Sequence, residues 1–252
     1  MNNLLASLIP GSILFERYNQ KKSPITSLGL FLLELAPYIL LGLSENQPIY
    51  IPVSGFIFLY SFYELGYFWN DAFASEKEGA GRTIRKKYTK NLFYQFLIIR
   101  LFIITFVGCF IFAKGLLTQN IIVISAALCL AFIVHNTQKD SKIRLFTFII
   151  LNTLKIHLRL IFITTNSVIY LFCIFPHLFV RSLEYMHVKK ILHLRISQIN
   201  SLKKPIFLSW LILICILSPN LLIFFLPFLV LNSKWILDPE AFQRLFKIKF
   251  IK

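Results

Sequence analysis

Acid is scarce in this 252-residue chain: eleven Asp and Glu stand against 27 Lys and Arg, and charged residues of both signs make up only 15%. An ordinary globular domain carries roughly 25% charged residues. With 57% hydrophobic residues and a mean hydropathy of +0.70, the polar residues are too few to cover a soluble fold of this length. Cysteine is scarce as well. Cys109, Cys129, Cys173 and Cys215 each lie inside an apolar run, and none belongs to a CxxC or Cys/His ligand pattern. They are expected to act as small buried apolar side chains. No small-residue cleavage site follows a positive segment before Lys22, so no cleaved signal peptide is read. Linkers, low-complexity stretches and internal repeats are missing, which leaves one membrane domain over 1–252. Matching halves with Gly- or Pro-broken helices are also missing, which argues against an inverted-repeat transporter.

What is present is a series of long apolar runs. A helix needs about 20 apolar residues to cross the hydrocarbon core. The qualifying runs are near 26–44, 50–69, 92–113, 116–135, 145–164, 165–181, 206–219 and 220–236. The reading is an all-α polytopic transmembrane bundle of about eight (8–9) spans. A net charge of +16 in a soluble protein would suggest nucleic acid. Here the basic residues fall between the runs, which fits loops against an anionic inner leaflet and no nucleic-acid partner. They cluster around Arg17, around Arg85, around Lys142, over Lys189–Lys204 and around Lys247. With eight spans all five clusters share one side, and the opposite connections hold one lysine, Lys114. The positive-inside rule then places both ends in the cytoplasm of a multi-pass protein, most simply one of a bacterial inner (plasma) membrane. Cytoplasmic loops are expected near 70–91 and 182–204. A surface-lying amphipathic helix over 239–251, or a frayed tail, is expected at the end.

With so few acids, their positions carry information. Glu64, Asp71, Glu76 and Glu78 gather at the cytoplasmic end of the second span. Glu64 and Asp71 are seven apart and share a helical face with Tyr67. Asn70, Asp71 and the two glutamates supply hard oxygen ligands suited to Mg²⁺. Arg82 and Arg85 follow and can clamp phosphate oxygens. The alternative is a solvated loop whose charges pair trivially. Leaving the sixth span, Arg181, Glu184 and His187 share one helical face, as do Arg181 and Tyr185. Glu184 is either a ligand or the partner of Arg181 or Lys190. In the fifth span Asn152, Lys155 and Arg159 lie on one face, with Lys155 about 15 Å past the span's cytoplasmic end. Cations at that depth need a partner: an anionic ligand, or the transmembrane acid Glu34.

Asn70-Asp71-Ala72-Phe73-Ala74-Ser75-Glu76-Lys77-Glu78 resembles the first aspartate-rich motif, NDxxDxxxD, of the UbiA superfamily of intramembrane prenyltransferases. Asn70 and Asp71 match, Glu78 stands at the last aspartate, and Ala74 replaces the middle one. Of the second motif only Glu184 remains, with Arg181, Tyr185 and His187 around it. The resemblance implies a helical bundle around a central cavity, with Mg²⁺ bridging carboxylates to an isoprenoid diphosphate. In one branch of the family a polyprenyl phosphate instead attacks a phosphoribosyl diphosphate.

The expected function is thus Mg²⁺-dependent transfer involving an isoprenoid or polyprenyl (di)phosphate lipid at a cytoplasm-facing intramembrane site. Asp71, Glu76 and Glu78 would hold the metal, and Asp71, Glu78 and Glu184 would be the catalytic set. Tyr67, Asn70, Arg82, Lys155, Arg159, Arg181 and Tyr185 would bind substrate. Phosphoribosyl transfer to a polyprenyl phosphate, and a non-catalytic protein that binds or presents a polyprenyl-linked lipid, are the alternatives.

Overall fold

A computed structural model describes residues 10–11, 24–74, 89–165, 167–193, 195–222 and 224–225, with the backbone alone over 24–33 and at 74. The described chain is all-helical, with no strand. Its helices are α1 (Pro24–Ser44), α2 (Tyr50–Trp69), α3 (Lys90–Ala113), α4 (Gln119–Thr137), α5 (Ser141–Leu160), α6 (Ser167–Cys173), α7 (Phe175–Val188) and α8 (Ile196–Leu217). A π-helical turn, Asn70–Ala74, prolongs α2, and a 3₁₀ turn, Pro219–Leu221, follows α8. The expected surface helix over 239–251 lies outside the described residues.

Local chemistry starts several of these helices. Thr89 Oγ1 accepts from Leu92 N–H, Thr118 Oγ1 from Ile121 N–H, and Asp140 Oδ1 from Lys142 N–H. Each satisfies one of the amides that a helix start leaves open. Gly115 closes α3 at φ 67°, with Leu116 N–H reaching Ile111 C=O and Gly115 N–H reaching Phe112 C=O. That double closure needs a left-handed residue, which glycine supplies without a Cβ clash.

α2 is the central helix. Thirteen of its 20 residues are buried, because α1, α3, α4 and α5 all pack on it. A helix apolar on every side belongs in such a position. α3 buries four of its 24 residues and turns Phe102, Phe106 and Phe112 outward at 72%, 68% and 72% exposure. α3, α4 and α8 are each long and apolar enough to cross a membrane. α6 and α7 pass the same test as a pair bent by 56°. Pro176, in the first turn of α7, has no N–H to carry the ladder across the break at Ile174. Trp210 Nε1 on α8 donates to Phe172 C=O just before the bend.

Two expectations change. Cys109, Cys129 and Cys215 are exposed on the outer faces of α3, α4 and α8, and only Cys173 is buried. In an apolar surround an outward cysteine has no water to avoid, so burial is not enforced. The loop expected over 182–204 is mostly helix: α7 runs to Val188 and α8 starts at Ile196. Lys190, at φ 55°, makes the turn that glycine makes after α3, with Ile191 N–H on Met186 C=O and Lys190 N–H on His187 C=O. Gln198 Oε1 then accepts from Arg195 N–H at the start of α8.

A non-glycine residue in the left-handed region costs about 1–2 kcal/mol. Lys190→Gly is therefore expected to raise thermal stability in detergent by about 1 kcal/mol, offset in part by glycine's extra freedom when unfolded. An unchanged or lower melting temperature would contradict the turn assigned here.

Candidate functional site

Two of the polar groups inside the bundle are joined by a line of tyrosines on α2. In the inner group, Glu34 on α1 meets α5: Lys155 Nζ lies 3.2 Å and Arg159 Nη1 3.4 Å from Glu34 Oε2. Tyr60 Oη donates to the same oxygen at 2.7 Å. Arg159 also donates to the Glu34 carbonyl at 3.2 Å and lies 3.9 Å from the Tyr38 ring centre. Lys155 sits 5.3 and 5.4 Å from the rings of Tyr60 and Tyr63. Such π faces attract a cation where water is absent. Of the two partners the sequence left open for the cationic stripe, the structure supplies Glu34. One carboxylate against two cations leaves this group with an excess of one positive charge.

Tyr60, Tyr63 and Tyr67 follow one another along α2, with Tyr67 Oη donating to Tyr63 Oη at 3.3 Å. Tyr63 and Tyr67 lead to a cavity of about 280 Å³ between the ends of α2, α4, α5 and α7. Its aromatic walls are Tyr63, Tyr67, Phe132, Phe148 and Tyr185, the last two stacked 4.4 Å apart. Its polar wall, among the described residues, is Asn70, His135, Asn136, Arg144 and Lys189. His135 Nδ1 shares a 2.8 Å hydrogen bond with Thr147 Oγ1. Asn136 Nδ2 donates to Gly66 C=O at 3.1 Å, and a Cβ on Gly66 would stand 2.2 Å from the Phe132 ring. Only a glycine lets α4 approach α2 so closely at that point.

Three of the sequence-selected residues, Tyr67, Asn70 and Tyr185, thus line one cavity. Lys155 and Arg159 lie deeper. Glu184 belongs to a third group, bonded to Lys203 at 2.7 Å and to Arg181 at 3.1 Å, with Lys203 only 2% exposed. Lys203 on α8 thus joins the expected partner Arg181. Asn152 turns back to Phe148 C=O on its own helix and joins neither group. Glu64 does not join the acids either. Its carboxylate forms an ion pair with Arg100 on α3, both side chains fully buried, and Arg100 stacks 4.6 Å from Phe96. The π turn at Asn70–Ala74 breaks the 3.6-residue period on which Glu64 and Asp71 were expected to share a face.

Asp71 is half-buried beside Asn70. Glu76, Glu78, Arg82 and Arg85 lie outside the described residues. Among the described residues no three His, Cys, Asp or Glu side chains come together as a metal-holding group. Glu184, held by two cations, is poorly suited to bind a third. Of the three residues expected to hold Mg²⁺, only Asp71 is among the described residues, and the described donors of the cavity wall suit an anion.

The sequence reading missed Arg100, His135, Asn136 and Arg144 as site or core residues. Their signals were readable: an arginine inside an apolar run, a His-Asn pair ending one, and the spacing 144, 148, 151, 155, 159 that sets one stripe along α5.

Replacing one member of a buried ion pair costs about 3–5 kcal/mol, whereas replacing both by apolar residues is often neutral. Arg100→Leu should accordingly lower the yield of folded protein and its unfolding temperature sharply, and Glu64→Leu with Arg100→Leu should recover most of the loss. Equal defects in the single and double variants, read by size-exclusion and thermal unfolding, would show that the pair is not what α3 contributes there. Comparison of the chain with known protein families, with curated proteins and with solved structures finds no match.

Proposed function

We propose that the chain is a UbiA-like intramembrane transferase acting on an isoprenoid phosphate or diphosphate, whose head group enters the cavity from the cytoplasm. The observation that carries this reading is the cavity wall, which sets Arg144 and Lys189 beside amides and aromatic rings at the end of α2. The positively charged inner group at Lys155 and Arg159 adds to it, linked through Tyr63 and Tyr67. Further support comes from the Asn70-Asp71 motif at the same end of α2. The basic end of the bundle, with Lys139, Lys142, Lys189, Lys190 and Lys204, is the end that the positive-inside rule assigns to the cytoplasm.

In this reading Arg144 and Lys189 bind phosphate oxygens, and Arg144 supplies a planar fork that matches them. Heterolysis of the allylic C–O bond sends its electron pair to the departing diphosphate. Cations fixed beforehand meet that developing charge without reorganising. The π faces of Tyr63, Tyr67 and Phe132 suit the cationic carbon left behind. The nucleophile of the acceptor then bonds to that carbon and gives up its proton to the released diphosphate. The role for Mg²⁺ rests on Asp71 with Glu76 and Glu78, not on the cavity wall.

One observation favours a second reading, a non-catalytic protein that binds or presents a polyprenyl-linked lipid. Glu184, the acid left from the second motif, is engaged by Lys203 and Arg181.

Purified protein in nanodiscs, given prenyl phosphates and diphosphates with Mg²⁺ or EDTA, separates the two. Saturable binding is expected, and Arg144→Gln should weaken it about tenfold or more, as for the loss of a charged hydrogen bond. Asp71→Ala should leave binding in place and stop turnover. Binding that ignores both EDTA and Asp71→Ala, with no turnover, selects the non-catalytic reading. No binding of any prenyl phosphate rejects both.

A further inference from the structure

The inner group on α1, α2 and α5 carries one positive charge more than its own partners answer. Lys155 and Arg159 share a single carboxylate, Glu34, and Tyr60 keeps its proton by donating to the same oxygen. Toward its start, α1 holds no ionisable side chain over 24–33. On α7, Glu184 is engaged by Arg181 and Lys203, and Arg181 itself adds to the positive field at Lys155. The rings of Tyr38, Tyr60 and Tyr63 attract the two cations but carry no net charge. A buried ion is unfavourable unless an opposite charge meets it, and one of these two cations lacks its own.

Donors around the group are also unused. Arg159 donates through Nε to Lys155 C=O and through Nη1 to Glu34, which leaves Nη2 without a partner among the described residues. Lys155 Nζ has three N–H bonds and meets one carboxylate. Tyr38, 1% exposed, lies against Arg159, and its Oη is buried with no hydrogen-bond partner. Buried polar groups are rarely left so. The room beside them is small: the Glu34 side chain is 23% exposed, and those of Lys155 and Arg159 are 11% and 3% exposed. Donors gathered around one surplus charge in a confined place suit a small monovalent anion. A diphosphate brings more charge and more bulk than this group can meet.

We infer that the inner group is a binding site for a small monovalent anion of halide size, chloride in the cell, held by Lys155 Nζ and Arg159 Nη2 with Tyr38 Oη donating to it. The bound anion brings the group to neutrality. The site lies deeper than the cavity at the end of α2, and the inference does not rest on the transferase reading.

The test uses the full chain in nanodiscs at fixed pH and ionic strength, with sodium gluconate exchanged stepwise for chloride or bromide. The unfolding temperature should rise by about 3–6 °C once the halide exceeds its Kd about tenfold. Sulfate at equal ionic strength should give no such rise. Lys155→Met leaves Arg159 and Glu34 as a neutral pair, so its unfolding should no longer respond to halide. Tyr38→Phe should keep the response and weaken the Kd about tenfold, as for the loss of one charged hydrogen bond. It also carries the test if Lys155→Met does not run as a single species on size-exclusion. Crystals grown in bromide should show anomalous density in contact with Lys155 and Arg159. The inference is overturned by a rise that sulfate matches, by a Lys155→Met variant as halide-sensitive as the parent, or by an unaltered Kd in Tyr38→Phe. Bromide crystals without density at that place overturn it too. No prenyl phosphate is present, so none of these outcomes touches the transferase reading.

Discussion

The Glu34 carboxylate, shared by Lys155, Arg159 and Tyr60, is the contact on which the arrangement of α1, α2 and α5 depends. An ionised group among apolar helices is costly unless another charge and several hydrogen bonds meet it. Glu34 on α1 finds its partners on α2 and α5, so two consecutive helices and one a hundred residues on are held together. The same device recurs. Glu64 ties α2 to α3 through Arg100, and Glu184 ties α7 to α8 through Lys203. Apolar side chains pack in many ways, but a buried carboxylate has few acceptable neighbours. In a chain with eleven acids, three spent on such contacts specify which helix lies beside which.

The apolar runs were legible because length and hydropathy are local properties. α1 to α5 begin and end close to the runs read from the sequence. The return between α7 and α8 was not legible. A left-handed turn usually announces itself through glycine, as at Gly115, and here the position is Lys190. The stretch between Val188 and Ile196 is therefore a tight connection, although its charge made a long loop the natural reading.

The site was partly legible for a related reason. Polar residues within apolar runs were visible, but their partners were set by packing between distant helices. Lys155 and Arg159 needed α1 in place before Glu34 could be chosen over a ligand. Glu64 and Asp71 were read onto one face by the ordinary helical period, which the π turn after Trp69 interrupts. Asn136 gains its meaning only from Gly66 seventy residues earlier, where the missing side chain admits Phe132 and exposes a carbonyl.

The Glu64–Arg100 pair bears on how the chain is assembled during synthesis. α3 taken alone carries an arginine to its middle, a placement that costs about 2.5–3.5 kcal/mol at insertion. Its remaining apolar residues can absorb that. α2 is more evenly balanced, with a glutamate and several tyrosines in 20 residues. Packed side by side, the two helices bring opposite charges together and bury both. The two helices therefore form one unit of assembly, because neither buried charge has its partner until the other helix is in place.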